Sequence, residues 1–185
     1  MRVITGSAKG RTLITPKSNR IRPTSSRIKE ALFSIIGDDV IGCIFIDGFS
    51  GTGNIGIEAL SRGAKTCLFI ENHKESIAII KKNLFITNFL DKSTLLVKKF
   101  IDGIKYISSQ NIKVDIIFLD PPYIKGLIEP ALFVIIETNL LNISGMIIVE
   151  HDKNDIITVP KGIVCLMERK YGNTILSFYG LEEIK

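Results

Sequence analysis

Apolar positions along this 185-residue chain follow two alternating periodicities. Ile28, Ala31, Leu32, Ile35 and Ile36 recur at helical spacing, with Thr24 as a candidate cap before them and Gly37 as a stop after them. From residue 43 onward, short continuous apolar runs at 43–47, 66–71, 94–98, 114–119 and 145–150 read as buried strands. Between them the three- and four-residue period returns and predicts helices over 54–62, 74–88, 100–109 and 127–138. A βαβα alternation of this kind predicts a parallel sheet covered on both faces. The last segment breaks the rule. Ile163–Lys170 and Thr174–Tyr179, joined by Tyr171-Gly172-Asn173, predict an antiparallel hairpin on the sheet edge. At the other end, Arg2–Thr5 and Arg11–Thr15 flank a Gly6–Gly10 link and predict an amino-terminal hairpin with a basic tip. We find no internal repeat and no low-complexity stretch. The length suits one compact unit, divided into an amino-terminal basic arm over 1–23 and an α/β domain over 24–185.

Composition changes this picture little. Hydrophobic residues make up 45% of the chain, as a packed core requires. No apolar run reaches the length of a membrane span, and no cleavable apolar leader follows the start, so a soluble, cytoplasmic protein is expected. Cys43, Cys67 and Cys165 are widely spaced without a C-x-x-C pair, so free thiols are expected; with only His73 and His151 besides, no metal site is expected.

Charge adds more. The net value is +5, yet residues 1–30 hold eight basic residues against Glu30 alone, and the rest of the chain is slightly acidic. Arg2, Lys9, Arg11, Arg22 and Arg27 in this cluster are candidate contacts to a nucleic-acid backbone, with a solvated charged face as the bland alternative.

Candidate chemistry sits at two strand ends. The first strand runs into Asp47 and then a loop carrying Gly48, Gly51, Gly53 and Gly56. Such a loop turns sharply and lets backbone N–H groups approach a ligand. Its G-x-G-x-x-G spacing also suits a dinucleotide, with Glu71 about twenty residues beyond Gly51 in the place of a ribose-holding acid. Asp47 would repel a pyrophosphate there, whereas S-adenosylmethionine has no phosphate and carries an amine that a carboxylate can accept. Asp47 therefore favours the methyl donor. The second constellation is Asp120-Pro121-Pro122-Tyr123 at the end of the 114–119 strand. Asp120 can accept one N–H of an exocyclic base amine and the Pro121 carbonyl another; Pro122 stiffens the turn and Tyr123 offers a face for the base, worth roughly 1–3 kcal/mol. In an open α/β sheet Asp47, Glu71 and Asp120 would share one crevice.

With these motifs in place, the chain resembles the RsmD family of ribosomal RNA methyltransferases. Arg2-Val3-Ile4 with Gly6 and Gly10-Arg11 resembles the family's opening hairpin, and Arg22-Pro23-Thr24 followed by Arg27 and Glu30-Ala31-Leu32-Phe33 its first helix. Asp47-Gly48-Phe49-Ser50-Gly51-Thr52-Gly53 with Gly56, then Glu58–Ala64, is similar to its cofactor loop and following helix; Thr5 and Ser50 stand where glycine and alanine are common. The resemblance implies a class I, Rossmann-like methyltransferase sheet of seven mostly parallel strands with the last antiparallel. It implies S-adenosylmethionine as cofactor, held by Thr24, Asp47, Phe49, Ser50, Gly51, Gly53 and Glu71. It also implies Asp120–Tyr123 at the target base, and the small ribosomal subunit or its 16S rRNA as partner of a monomer. Where many class I enzymes place an acid after the third strand, this chain has Lys99-Phe100; Phe100 is a candidate to cover the adenine ring, or a core residue. The implied reaction is methylation of a guanine N2 amine. An adenine-N6 or cytosine-N4 methyltransferase, and a non-catalytic RNA-binding assembly factor, are the alternatives at this stage.

Overall fold

The computed structural model describes residues 1–16, 26–122 and 126–182. Arg22, Thr24 and Tyr123 lie outside the described residues. The elements run α1 (Ser26–Ile36), β1 (Ile44–Gly48), α2 (Asn54–Ser61), β2 (Thr66–Glu71), α3 (Lys74–Thr87), β3 (Ser93–Val97), α4 (Phe100–Ser109), β4 (Val114–Leu119), α5 (Ile128–Glu137), β5 (Leu141–Asp152), β6 (Ile163–Tyr171) and β7 (Thr174–Leu181). One sheet holds seven strands in the order β3-β2-β1-β4-β5-β7-β6. The first five of that order are parallel, and β7 runs antiparallel to both β5 and β6. The carboxyl-terminal hairpin thus lies at the sheet edge, as the pattern predicts.

Strand alternation divides the core. Phe45, Cys67, Phe69, Ile116 and Phe118 face one layer with α1, α2 and α3. Their neighbours Ile46, Leu68, Ile70, Ile117 and Leu119 face the other with α4 and α5. Continuous apolar runs are what a sheet buried on both faces demands, because each successive side chain enters a different core.

Two expectations shift. β5 begins at Leu141 rather than 145, because Val114 pairs with Leu141 across a bulge before Ile116 meets Met146. Asn142 and Ser144 hide that start in the sequence; Asn142 Nδ2 donates to Asp115 Oδ1 at 2.6 Å, while Asp115 Oδ2 accepts the Ile44 N–H at 2.8 Å. The amino-terminal hairpin is shorter than expected. The runs expected as strands over 2–5 and 11–15 meet at one antiparallel bridge, Arg2 with Thr12, flanked by backbone bonds from the Val3 N–H to the Arg11 carbonyl at 3.0 Å and from the Gly10 and Leu13 N–H groups to the Val3 and Met1 carbonyls at 2.9 Å. The reason is competition for backbone donors, since the Ile4 and Thr5 N–H groups bond the Glu58 carboxylate at 2.9 and 3.0 Å instead of a partner strand. Ser7 and Ala8 likewise donate to the Ser61 carbonyl and hydroxyl at 2.8 and 2.9 Å. Val3, Ala8 and Leu13 are buried in the same core layer as α1 and α2. The arm is therefore stapled to α2.

Candidate active site

The strand order puts the topological switch between β1 and β4, where an open α/β sheet leaves a crevice at the carboxyl ends. Gly48 on β1 pairs with Ile70 on β2 and with Leu119 on β4. The residues one step further on, Phe49, Glu71 and Asp120, therefore emerge at one level. A cavity of about 1320 Å³ opens there, lined among others by Asp47, Ser50, Gly51, Glu71, Phe100 and Asp120. Three carboxylates far apart in the chain thus share one cavity wall.

The loop between β1 and α2 is held by backbone conformation. Phe49, Gly51 and Gly53 all have positive φ, at 59°, 54° and 76°. Phe49 lacks glycine's freedom there, and its ring is stacked on Phe100 at 4.9 Å between centroids, with planes 16° apart. Gly48 makes that stack possible, because a Cβ on it would lie 2.6 Å from the Phe100 ring. Phe100 itself belongs to the α4–α5 core layer while also lining the cavity. Gly56 has a packing role: a Cβ there would meet Phe69 at 2.4 Å and Cys67 Sγ at 2.6 Å.

Asp47 is 2% exposed, and its Oδ2 accepts the Gly56 N–H at 2.8 Å. Burial raises its pKa well above the usual carboxylate value; the Gly56 N–H opposes the rise, and the charges of Asp120 and Glu71 add to it. Glu71 is braced by three backbone donors, Gly51 to Oε2 and Asn72 and His73 to Oε1, each at 2.8 Å. Ser50 Oγ donates to the Ile70 carbonyl at 3.2 Å, tying the loop to β2. Asp120, Pro121 and Pro122 also border a second cavity of about 380 Å³ that includes Glu129, Glu150 and His151. In that wall His151 Nε2 lies 2.8 Å from Ser177 Oγ, which donates to Glu168 at 2.8 Å.

Of the basic residues singled out, Arg2, Lys9, Arg11 and Arg27 are exposed. Arg11 is partly committed, because its guanidinium donates to the Ile86 carbonyl on α3.

The family model described as conserved hypothetical protein 95 matches residues 1–180. Ribosomal RNA small subunit methyltransferase D of Haemophilus influenzae is 34% identical over 173 residues, 93% of this chain and 89% of that protein. The candidate rRNA methyltransferase YlbH of Bacillus subtilis is 34% identical over 182 residues, 97% of this chain and 98% of that one. Among solved structures, yhhF of Escherichia coli, a candidate methyltransferase, aligns with a TM-score of 0.85 at 28% identity, covering 98% of each chain. The chain belongs to the RsmD family. Its seven-stranded, mostly parallel sheet is that of a class I methyltransferase.

Sequence reasoning did not reach one feature of this RsmD-family chain, a buried polar network behind the glycine loop. Lys29 on α1 is 1% exposed and Glu58 on α2 is 0% exposed, with Lys29 Nζ 2.9 Å from Glu58 Oε2. Lys29 also donates to the Arg2 carbonyl at 2.9 Å and to Asn54 Oδ1 at 2.8 Å. Burial pulls the Lys29 pKa below its ordinary value, and the hydrogen bond to Glu58 opposes that. Three acceptors around one nitrogen match the three hydrogens of an ammonium. Arg62 completes the cluster through Nε to Glu58 Oε1 at 3.0 Å, with its guanidinium 4.8 Å from the Phe33 ring centroid. Lys29 and Glu58 fall on predicted helices at positions that look solvent-facing by charge alone; they are buried where α1, α2 and the arm meet.

Proposed function

We propose that this protein transfers a methyl group from S-adenosylmethionine to the N2 amine of a guanine in 16S rRNA of the small ribosomal subunit. The observation that carries the reading is the convergence of Asp47, Glu71 and Asp120 on one cavity at the switch point. Three acids in a partly buried crevice repel the pyrophosphate of a dinucleotide and favour a ligand bearing positive charge. The residues fit the methyl donor, which has an ammonium, a sulfonium and no phosphate. The printed name of the Haemophilus influenzae relative, a ribosomal RNA small subunit methyltransferase, supports the substrate class.

S-adenosylmethionine supplies an electrophilic methyl group on a sulfonium that departs as a neutral thioether. Asp47 accepts its ammonium, and Glu71 takes the ribose hydroxyls. Phe49, stacked on Phe100, closes the apolar side toward the adenine. Thr24, Ser50, Gly51 and Gly53 complete the cofactor side in this reading. Asp120 and the Pro121 carbonyl accept the two N–H groups of the target amine, which turns its lone pair toward the methyl group. Asp120 then accepts the proton released once the nitrogen is alkylated, so no strong base is needed beforehand. Tyr123 stacks on the base. The catalysis asked of these residues is positioning and electrostatics.

The test is methyl transfer from labelled S-adenosylmethionine to small subunits lacking the modification, alongside naked 16S rRNA and duplex DNA, with products digested to nucleosides. Label in N2-methylguanosine is the expected result. Label in a DNA base would replace the reading with a DNA amino-methyltransferase, and no transfer despite cofactor binding would replace it with a non-catalytic assembly role.

A further inference from the structure

Asn54 stands at the first position of α2 and lines the large cavity. It is 6% exposed, and its Nδ2 is buried with no hydrogen-bond partner among the described residues. The orientation of the amide is forced: Lys29 can only donate, so Oδ1 must face it at 2.8 Å, and Nδ2 is turned away from Lys29 as the unpartnered end. A buried donor without a partner in a ligand cavity is a place where a ligand acceptor belongs. Other features give the sign of that acceptor. The cluster behind Asn54 sets the cations Lys29 and Arg62 against the buried Glu58, with the charge of Glu30 also acting on Lys29. The adjoining end of α2 also favours negative charge. The strand ends of the same cavity hold Asp47, Glu71 and Asp120. The cavity wall thus mixes these acids with Lys98 and Lys99, and Asn54 at the start of α2 adds an unpartnered donor. A nucleic-acid phosphate would meet three carboxylates there, whereas the amino-acid end of a zwitterion has an ammonium for the acids and a carboxylate for the Asn54 donor.

We infer that Asn54 Nδ2, oriented by Lys29, donates to the carboxylate of the methionine moiety of the methyl donor, making Asn54 a cofactor-binding residue. This rests on the reading of the cavity as the S-adenosylmethionine site. Lys29 also bonds the Arg2 carbonyl, so the same network ties the amino-terminal arm to the cofactor.

The experiment is calorimetric binding of S-adenosylhomocysteine and of S-adenosyl-3-thiopropylamine, which keeps the amine and lacks the carboxylate, to the wild-type protein, Asn54→Ala and Asn54→Asp. Asn54→Asp keeps an oxygen for Lys29 and replaces only the donor, so the bond that serves the fold survives. Both variants should weaken S-adenosylhomocysteine by about tenfold or more, Asn54→Asp more than Asn54→Ala, and shift the carboxylate-free analogue by less than about twofold. Equal losses for the two ligands, no loss for either, or tighter S-adenosylhomocysteine binding in Asn54→Asp would overturn the assignment. A wild-type protein that binds neither ligand would instead remove the reading of the cavity on which the assignment rests.

Discussion

At the scale of single residues, two acids of the same cavity sit at the ends of neighbouring strands, β1 and β4, in different surroundings. Asp47 lies before the loop and is sealed under it, while Asp120 follows β4 and borders both cavities. Asp120→Ala should abolish methyl transfer and leave S-adenosylmethionine affinity within about twofold, because transition-state interactions are removed without touching uniform binding. A single-turnover assay beside equilibrium dialysis checks this, and parallel loss of both properties would make Asp120 a cofactor residue. Asp47 carries a stability cost. Its folded-state pKa is raised, chiefly by burial, so its contribution is most favourable below the ordinary carboxylate value and is lost as pH rises through the raised one. Asp47→Asn keeps an oxygen for the Gly56 N–H and removes the charge. The variant should therefore resist urea better than wild type at pH 7–8, with the difference shrinking as pH falls toward about 4, the usual carboxylate value. It should also bind S-adenosylmethionine more weakly. A stability difference independent of pH would contradict the account.

Among elements, the packing that matters is between the arm and α2. Helix α2 has no exposed residue, and Glu58 serves as acceptor for Lys29, Arg62 and two backbone N–H groups of the arm. Removing its charge leaves Lys29 buried without its counter-ion, an arrangement that costs about 3–5 kcal/mol. Glu58→Gln should lower unfolding stability by that order in urea titration. Amide exchange at Ile4 and Thr5 should accelerate more than at β4, where strand pairing is untouched. Uniform acceleration across the sheet would mean that Glu58 supports global stability alone. Leaving the Asn54 donor without any partner would itself cost about 1–3 kcal/mol, a cost tolerated where a ligand offsets it.

Over the whole molecule, charge is sorted by function. The exposed basic residues Arg2, Lys9, Arg11 and Arg27 are not among those lining the crevice, whose wall holds Asp47, Glu71 and Asp120 together with Lys98 and Lys99. Arg11 has a structural bond to α3, which makes Arg2, Lys9 and Arg27 the cleaner probes. Replacing those three with glutamine should weaken binding to small-subunit RNA and reduce the slope of log affinity against log salt by about 2, at roughly 0.7–0.9 for each phosphate that is no longer neutralised. An unchanged slope would move the RNA surface elsewhere. Among the described residues no helix is long and apolar enough to cross a membrane.

The five parallel strands, their helices and the carboxyl-terminal hairpin were legible in the sequence, because a strand buried on both faces must be apolar throughout and a helix must repeat at its own period. Asp47, Glu71 and Asp120 were legible as a set for a related reason: register in a parallel sheet brings successive strand ends to one edge, wherever they lie in the chain. The arm was not. Its alternation is compatible with a hairpin, and whether Ile4 and Thr5 pair with a strand or with a carboxylate depends on what lies beside them in space. The same holds for Lys29, Asn54 and Glu58. Apart from Arg62, one turn beyond Glu58, the partners that offset these buried charges lie 25 to 54 positions away, and only the packing of α1, α2 and the arm against one another brings them within reach.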